Sequence, residues 1–330
     1  MPPDDRSSGT VTSELDAVTR AASAVSIGFF DGVHLGHQAI VGRAMTHAQR
    51  HGLRSVIVTF DRHPMQIVRP ERVPALLMTT DRRVRTLAAL GPDVVVVLPF
   101  DERLRMLEPE TFIAQVLRSS LDARHVVVGH NFRFGHRAAG DVALLEQVGA
   151  RDGFSVDGVD LLHIDDAPIS STRIRSALGD GDVDTAARLL GRPFVLDGTV
   201  VDGDRRGRQL GYPTANLTVA DDVVVPAAGV YAGTLAHPDG RQLPAVTSIG
   251  TNPTFNGVGT RVETHVLDFD EELYGAAVAV DLRRFLRGQQ RFDDVDALIA
   301  AMHDDVRRAR RVLAVAADVP GDTGRLAADR

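Results

Sequence analysis

The chain has 330 residues, more than one hydrophobic core usually holds, and this length predicts two domains. Its basic residues are all Arg, so the absence of Lys and Cys excludes a Walker P-loop lysine, a lysine Schiff base, a cysteine nucleophile and thiolate metal sites. A net charge of -7 at pH 7 argues against a broad nucleic-acid surface and favours small-molecule substrates.

The hydrophobic pattern gives no sign of a membrane protein. The longest aliphatic run, Val94–Leu98, is far shorter than the roughly 20 apolar residues that span a bilayer. The first residues lack the basic start and apolar centre of a signal peptide. We therefore expect no membrane contact, a cytoplasmic location, and flexible tails at residues 1–20 and 318–330.

Residues 24–190 alternate apolar, β-branched runs with helical patterns, which predicts parallel strands joined by crossover helices. The predicted strands are nearly all apolar, as expected for strands buried on both faces. They are residues 25–30, 55–60, 94–100 and 125–129, and the predicted helices are 36–50, 81–90, 109–121 and 141–150. The pattern indicates a doubly wound, Rossmann-like α/β domain over residues 21–188.

After residue 193 the residue pattern changes. It predicts short strands with frequent turn residues between them, and the connections are too short for crossover helices. Predicted strands at 195–202, 230–236, 243–248, 262–269 and 277–282 indicate a small antiparallel β-barrel. Residues 293–317 then carry apolar side chains at near-helical spacing, which predicts one long C-terminal helix packed on the barrel. This second domain covers residues 189–317.

A strand, a tight turn and a helix start follow one another in residues 26–37, and this segment contains an H-x-G-H pattern of His34, Gly36 and His37. Ligands of open α/β sheets bind outside the carboxyl ends of the strands, and a helix N-terminus suits phosphate. The glycine lets the backbone approach a nucleotide while the imidazoles stabilise charge on its α-phosphate. The alternative that both are ordinary cap and surface histidines stays open at this point.

Two further loops fit the same edge of the sheet. Residues 129–137 begin at the end of another predicted strand, and residues 169–175 open a helix with hydroxyls and two arginines. Hydroxyls and an Arg fork suit a triphosphate, although a capping role for the hydroxyls explains them equally well.

A second constellation lies in the predicted barrel. Residues 198–217 leave a strand and pass several glycines, which fits either a flap over ATP or ordinary bulges and turns. Thr214 and Asn216 offer the hard oxygen ligands that Mg²⁺ prefers. Glu263 shares a predicted strand face with Leu267 and Phe269, so it has a partner, points to a barrel mouth, or acts as the general base for a hydroxyl that attacks a γ-phosphate.

Taken in order, these segments resemble bacterial bifunctional riboflavin kinase/FMN adenylyltransferases. The first half has G-x-F-D-G-x-H-x-G-H at 28–37, T-F-x-x-H-P at 59–64, G-x-[DN]-F-R-F-G at 129–135 and I-S-S-T-R-I-R at 169–175. The second has G-x-x-x-G-R-x-L-G-x-P-T-A-N at 203–216, P-x-x-G-V-Y at 226–231, I-G-x-x-P-T-F at 249–255 and V-E-T-H-x-x-D-F at 262–269. The chain departs from the family pattern at Phe29, Arg62 and Gln289.

The resemblance implies two reactions on small-molecule substrates. The barrel domain would phosphorylate riboflavin with ATP, and the α/β domain would transfer AMP from ATP to FMN, releasing pyrophosphate without a covalent enzyme intermediate. Mg²⁺ is the implied metal, ATP the co-substrate, and riboflavin and FMN the other partners. Self-association into a homo-oligomer stays open.

The same resemblance assigns residues to each reaction. In the α/β domain His34 and His37 would hold the ATP phosphates, and further contacts to ATP or flavin would come from Gly28, Phe30, Asp31, Gly36, His63, Asn131, Arg137, Ser171, Thr172, Arg173 and Arg175. In the barrel Glu263 would be the base and Thr214 and Asn216 the Mg-ATP ligands. Substrate contacts there would come from Gly203, Gly207, Arg208, Gly211, Pro213, Arg287 and Arg310.

Three alternatives remain at the sequence level. An adenylyltransferase for another acceptor, such as phosphopantetheine, shares H-x-G-H but leaves the kinase-like half unexplained. A tRNA ligase fits the length and charge less well. A flavin-binding or regulatory protein with decayed sites conflicts with the retained His34, His37, Thr214, Asn216 and Glu263, and turnover distinguishes it.

Overall fold

The structure is a computed structural model that describes residues 10–15, 19–203, 211–254 and 257–317. The described residues form two compact units. The first contains the chain up to Arg173 together with Leu189–Gly191, and the second contains Ile174–Arg188 and the chain from Arg192 onward.

A six-stranded, wholly parallel sheet is the centre of the first unit. Its strands are β1 (Thr10–Thr12), β2 (Ser23–Ile27), β3 (Arg54–Phe60), β4 (Val94–Leu98), β5 (Ala123–Gly129) and β6 (Ser155–Val159). They lie in the order β1-β4-β3-β2-β5-β6. A two-stranded antiparallel hairpin, β7 (His163–Ile164) and β8 (Ala167–Pro168), follows β6.

Helices connect these strands. They are α1 (Leu35–His51), α2 (Met65–Val68), α3 (Thr80–Ala88), α4 (Glu102–Arg105), α5 (Pro109–Phe112) and α6 (Val142–Asp152). Two more helices, α7 (Ser171–Gly179) and α8 (Val183–Leu190), follow the hairpin, and most of their residues belong to the second unit. A π-type helix, Ile113–Ser120, follows α5 directly. The strand order and the crossover helices confirm the predicted doubly wound α/β fold.

The position of β2 in the strand order locates the switch point of this sheet. The chain proceeds from β2 to β3 and β4 on one side, then returns to place β5 on the other side of β2. The gap above β2 and β5 is therefore the switch point, at which the loops after the two strands diverge and open α/β folds bind their ligands. Strands β2 to β5 carry mostly buried apolar side chains, which explains their near-continuous hydrophobic sequence.

The second unit contains a closed six-stranded antiparallel barrel, as predicted. Its strands are β9 (Phe194–Val201), β10 (Ala215–Thr218), β11 (Gly229–Ala236), β12 (Gln242–Thr254), β13 (Gly257–Val266) and β14 (Ala277–Arg287). The barrel order is β10-β13-β12-β11-β14-β9, and β9 pairs with β10 to close it.

A long helix, α9 (Val295–Ala317), packs on the outside of the barrel, also as predicted. Its buried Ala309 joins a hydrophobic cluster with barrel residues such as Val230 and Leu286. Val295 at the start of the helix is 56% exposed, so the apolar stripe begins later than the sequence suggests. Among the described residues, no helix combines the length and the apolar character needed to cross a membrane.

Several element boundaries differ from the sequence prediction. Strand β2 ends at Ile27 instead of residue 30, because Phe30 has a left-handed backbone (φ 56°) and starts the tight turn. Strand β13 ends at Val266 because Asp268 is also left-handed (φ 54°). Glu263 therefore does not share a continuous strand face with Leu267 and Phe269. Strands β1, β6, β7, β8 and β10 were not predicted.

Candidate active sites

The turn after β2 is a compact structure that requires its glycines. Gly32 has φ 82°, and a Cβ there would lie 2.6 Å from the Leu77 side chain. The carboxylate of the buried Asp31 accepts a hydrogen bond of 2.9 Å from the Leu77 backbone N–H. Asp31 thus fixes the turn to the neighbouring segment.

The two histidines of the H-x-G-H pattern form one stacked pair. Their ring centroids are 3.6 Å apart with an angle of 18° between the ring planes. His34 is the N-cap of α1, and its Nδ1 accepts a hydrogen bond of 3.3 Å from the His37 backbone N–H. A Cβ on Gly36 would lie 3.2 Å from the His34 ring, so the glycine makes room for the stack.

The surroundings keep His37 neutral near pH 7. Burial of the ring, followed by the neighbouring charge of His34, lowers the pKa of His37 well below its usual value. The Phe30 ring stands edge-on to His37 at 5.3 Å. Nδ1 of His37 is buried without a hydrogen-bond partner among the described residues.

The segment at the start of α7 reaches the same turn. The Ser171 hydroxyl donates a hydrogen bond of 3.0 Å to the backbone carbonyl of Asp31. Arg173 instead donates through Nη1 to the carbonyls of Ile164 and Ala167, at 2.7 and 3.0 Å, and so stabilises the β7–β8 hairpin. These contacts bring Ser171 to the histidine site and give Arg173 a structural role in this conformation.

The remaining residues predicted for this segment and the next loop lie at several places. Thr172 is exposed and Arg175, which is half-buried, belongs to the second compact unit. Asn131 folds back over Gly129, where an added Cβ would lie 3.3 Å from its Oδ1. Arg137 is exposed, has a left-handed backbone and lines an aromatic cavity described below.

His63 and Phe29 meet at the ends of β2 and β3. Their ring centroids are 4.6 Å apart in an edge-to-face arrangement. Nδ1 of His63 accepts a hydrogen bond of 3.1 Å from the Met65 backbone N–H, which fixes the turn into α2. A Cβ on Gly28 would meet the Phe30 ring at 2.9 Å, so Gly28 is needed for close packing.

Arg83 is a buried cation at this edge that sequence reasoning missed. Its side chain is fully buried, and its guanidinium carbon lies 4.0 Å from the centre of the Phe29 ring. Nη2 donates to the Phe60 carbonyl, whereas Nε and Nη1 have no hydrogen-bond partner among the described residues. Burial lowers the pKa of Arg83 to about 10, against the opposing effect of the Asp31 and Asp61 charges. No local sequence signal marks it, because α3 carries several arginines.

An aromatic cavity of about 500 Å³ opens beside these residues, among the loops that follow β3, β4 and β5. Five phenylalanines line it: Phe60, Phe100, Phe112, Phe132 and Phe134. Four arginines also line it: Arg69, Arg105, Arg133 and Arg137. Apolar aromatic walls with several cations suit a flat aromatic ligand that carries a negative charge.

The second unit has a polar row across three barrel strands. Asn216 on β10 is directly paired with Glu263 on β13, which is paired in turn with Ser248 on β12. Directly paired residues of antiparallel strands project to the same side. Here that side is the outside of the barrel, because Val262 and Thr264, which alternate with Glu263, are buried within it.

This row faces a cavity of about 630 Å³ between the barrel and α9. One part of the wall is apolar, with Val230 and Val246 from the barrel and Leu298, Met302 and Val306 from α9. The other part contains Thr214, Asn216, Arg261 and Glu263. A ligand with an apolar ring system and a hydroxylated chain matches both parts of the wall.

Arg287 closes another side of this cavity. Its guanidinium forms a two-pronged ion pair with Asp305 of α9, at 3.0 Å from Nε and 2.7 Å from Nη2. Asp305 is only 3% exposed, so the pair is largely desolvated and joins β14 to α9. Gln289 donates at 3.0 Å to Ser248 and at 2.8 Å to the Ile249 carbonyl, which fixes the adjacent loop.

The segment that leads into β10 is held by close contacts. A Cβ at Gly203 would overlap the Asn216 side chain, so only glycine permits this approach. Gly211 has φ 81°, and the next residue, Tyr212, hydrogen-bonds through its hydroxyl to Nδ1 of His303 on α9. The carbonyl of Pro213 accepts from His265 at 2.8 Å. The predicted contacts Gly207 and Arg208 lie outside the described residues.

Thr214 stands between two cavities. It lines the 630 Å³ cavity and also a second one of about 270 Å³, whose wall includes Pro213, Phe269 and Tyr274. Arg310, by contrast, is exposed and forms a two-pronged pair with Asp268 at 2.7 and 2.8 Å. Arg310 does not line the 630 Å³ cavity, and its contact ties α9 to the turn after β13.

Arg261 is the other site residue missed from the sequence. It lies two residues before Glu263 on the same strand, so the alternation of β13 places both on one face. Nη2 of Arg261 is 2.6 Å from Oε1 of Glu263, and its Nε donates at 3.2 Å to Oδ1 of Asn216. The two-residue spacing of Arg261 and Glu263 could have predicted that they share a strand face. The contact between Arg261 and Asn216 could not be predicted in this way, because it depends on the pairing of β10 with β13.

Comparisons with known proteins agree with this division into two sites. Residues 17–173 match the FAD synthetase family, and residues 190–313 match the riboflavin kinase family. The bifunctional riboflavin kinase/FMN adenylyltransferase of Pseudomonas fluorescens is 40% identical over 293 residues, which cover 88% of this chain and 93% of that protein. The protein of the same description from Escherichia coli K12 is 36% identical over 286 residues, covering 87% and 91%.

A solved structure is similar over nearly the same length. It is described as a macrolide-efflux protein from Streptococcus pneumoniae and shares 30% identity and a TM-score of 0.83. The similarity covers 92% of this chain and 99% of that one.

Proposed function

Because the chain belongs to the family of bifunctional riboflavin kinase/FMN adenylyltransferases, we propose that its barrel unit phosphorylates riboflavin and its α/β unit converts the product to FAD. The observation that carries this proposal is the preserved chemistry of both units. One presents a stacked His34–His37 pair at the switch point of a parallel sheet, and the other presents Glu263 on the wall of a 630 Å³ cavity.

In the α/β unit we assign the ATP phosphates to the N-terminus of α1. The backbone N–H groups at the start of α1, other than that of His37, and the neutral His37 ring supply hydrogen-bond donors for the charge that develops on the α-phosphate. A phosphate oxygen of FMN attacks the α-phosphorus, the bond to the bridging oxygen breaks, and pyrophosphate leaves. No residue needs to form a covalent bond with the nucleotide, so the protein contributes position and electrostatic stabilisation.

We assign the isoalloxazine ring of FMN to the aromatic cavity of the α/β unit. Its phenylalanines suit stacking against a flat ring system, and its arginines suit the FMN phosphate. The cavity lies among loops at the carboxyl ends of β3, β4 and β5, the same edge of the sheet that holds the histidine pair. A flavin held there would direct its phosphate toward that edge.

In the barrel unit we assign Glu263 as the general base. The apolar wall of the 630 Å³ cavity suits the flavin ring, and the polar wall suits the ribityl chain. The carboxylate accepts the proton of the riboflavin 5′-hydroxyl as its oxygen attacks the γ-phosphorus, and ADP leaves. Thr214 separates this cavity from the 270 Å³ cavity, to which we assign ATP.

The donor set of the barrel unit fits magnesium held together with a nucleotide. The hydroxyl of Thr214 and Oδ1 of Asn216 are hard, neutral oxygen ligands, and both line the 630 Å³ cavity. Phosphate oxygens of ATP would complete the coordination. When bound, the metal neutralises negative charge on the transferring phosphates.

Two substitutions test the assignment of the two sites. Glu263→Gln keeps the shape of the side chain but removes the base, so we expect FMN formation from riboflavin to fall about 10²- to 10⁴-fold. His37→Ala should lower FAD formation from FMN in the same assay conditions. Each variant should leave the other reaction largely intact, because the two side chains lie in different compact units.

Separate assays of the two half-reactions in folded protein decide the result. If Glu263→Gln lowers both reactions equally, Glu263 is not the kinase base. An unchanged rate of FAD formation in His37→Ala would remove His37 from the adenylylation site.

A further inference from the structure

Arg261 occupies a position between two groups with different proposed roles. Strand pairing places Asn216, the assigned metal ligand, beside Glu263, the assigned base. Arg261 follows the same face of β13 two residues earlier, and all three side chains line the 630 Å³ cavity. One residue is therefore within reach of both groups.

Its guanidinium contacts both of them at once. Nη2 lies 2.6 Å from Oε1 of Glu263, and Nε donates at 3.2 Å to Oδ1 of Asn216. The planar guanidinium of Arg makes this double contact through two nitrogens held in fixed directions, a geometry that the ammonium of Lys lacks. Arg261 and Glu263 are each about one-third exposed, so the ion pair alone is weakened by solvent.

The contact to Asn216 uses the atom that a metal ion needs. An Asn side chain has one oxygen, and Mg²⁺ binds oxygen and not the amide nitrogen. The whole amide group of Asn216 packs against Gly203, and its Oδ1 accepts the hydrogen bond from Arg261. A guanidinium and a divalent cation on this one oxygen repel each other at short distance.

We propose that Arg261 is a positioning residue that holds Asn216 and Glu263 in the nucleotide-free kinase site and releases Asn216 when metal and nucleotide bind together. This inference rests on the proposed riboflavin kinase function of the barrel. Its consequence is that metal alone competes with Arg261 and binds poorly, whereas the ATP phosphates bring further oxygen ligands and an anionic acceptor for the released guanidinium. Metal binding is thus coupled to nucleotide binding.

The test measures binding of Mn²⁺ to the full chain without nucleotide, from the electron paramagnetic resonance signal of free Mn²⁺. Arg261→Met keeps much of the side-chain volume but removes the charge and the fork, so we expect the Mn²⁺ affinity to rise about tenfold. The gain should disappear in the double variant Arg261→Met with Asn216→Ala. Arg241→Met is the matched control, because Arg241 bridges the exposed Asp239 and Glu271 and does not line the 630 Å³ cavity.

A second variant separates charge from geometry. Arg261→Lys keeps the charge without the fork, so we expect a smaller rise in Mn²⁺ affinity than in Arg261→Met and a partial retention of the kinase rate. This variant also provides the binding test if Arg261→Met does not fold.

Either of two results would overturn the proposal. The Mn²⁺ affinity of the folded Arg261 variants would match that of Arg241→Met, or the rise would persist without the Asn216 side chain. The Mn²⁺ measurement needs no turnover, so its failure is distinct from failure of the proposed function, which is detected by an absence of FMN formation in the unaltered protein.

Discussion

Helix α1 contains two glycines, Gly36 beside the His34 ring and Gly42 in open space. Substitutions at the two positions therefore test the histidine site and the stability of the helix separately. An added Cβ at Gly36 would lie 3.2 Å from the His34 ring, whereas a Cβ at Gly42 meets nothing within 4 Å. Alanine at either position favours the helix, by about 0.5 to 1 kcal/mol in an exposed interior position such as that of Gly42.

We predict that Gly36→Ala lowers FAD formation about tenfold or more, because small displacements of groups that contact the reacting atoms are costly. Gly42→Ala should raise the free energy of unfolding without changing either reaction. Denaturant titration and FAD assays of the two variants check this. Equal FAD rates in Gly36→Ala and Gly42→Ala would show that the His34–His37 stack tolerates the displacement.

The sequence was informative about the histidines and much less so about their charged neighbours. His34, Gly36 and His37 are adjacent in the chain, so their motif predicts that they act together, and the structure brings them into one stack. Arg83 lies far along the chain and reaches Phe29 only because α3 packs on the turn after β2, where Arg83 also bonds the Phe60 carbonyl at the end of β3. Such a contact depends on tertiary packing, which no local pattern reports.

At the scale of elements, α1 and β5 contact each other through a stack of histidines that lie outside the proposed active-site motifs. The rings of His47 and His125 are 3.5 Å apart and nearly parallel, and the His51 ring stacks on His47 at 4.3 Å. His125 is buried, and its Nδ1 is 2.7 Å from the hydroxyl of Ser155 on β6.

Burial, followed by the charge of His47, lowers the pKa of His125 from its ordinary 6.5 to about 4. The charge of Asp157 opposes this shift, while His51 and Arg43 add to it. The folded protein therefore binds this proton less readily than the unfolded chain, and it loses stability as the pH falls from about 6.5 toward 4. We expect a loss on the order of 1 to 3 kcal/mol for the first unit, allowing for solvent screening.

Hydrogen exchange of the β5 amides at pH values from 7.5 to about 4.5 measures this loss, after correction for the intrinsic exchange rate. His125→Gln should reduce the pH dependence. His163→Gln should not, because His163 is an exposed histidine of the β7–β8 hairpin outside the stack. The same pH dependence in all three proteins would contradict the role of the stack.

The elements themselves were predictable where the residue pattern was strong. Strands β3, β4 and β5 are apolar on both faces and were placed within a few residues. Strand β6 contains Asp157 and Gly158, and β10 contains the polar Asn216, so neither shows a run of apolar residues. Pairing with neighbouring strands stabilises β6 and β10, and the residue pattern within a single segment does not reveal that pairing.

At the scale of the molecule, the chain provides a natural probe for one unit. It has no Trp and three Tyr, namely Tyr212, Tyr231 and Tyr274, and all three lie in the second compact unit. Tyrosine fluorescence therefore follows the barrel unit, whereas far-ultraviolet circular dichroism follows both units. Because each unit has a hydrophobic core of its own, we do not expect the two signals to coincide during unfolding.

We predict that riboflavin moves the fluorescence-detected unfolding midpoint to higher denaturant, since a ligand stabilises the state that binds it. The part of the circular dichroism change that belongs to the α/β unit should move less. Because riboflavin absorbs light, its concentration is kept constant throughout each denaturant titration that contains it. A single coincident transition that riboflavin shifts as a whole would contradict separate unfolding of the units.

The central claim is that one chain carries out both steps from riboflavin to FAD. Chromatography of the products formed by the purified protein with ATP and Mg²⁺ tests it most directly, with riboflavin in one reaction and FMN in another. We predict FMN and then FAD from riboflavin, and FAD from FMN. FMN as the sole product would contradict the assignment of the α/β unit, FAD from supplied FMN alone would contradict that of the barrel, and neither product from folded protein would contradict both.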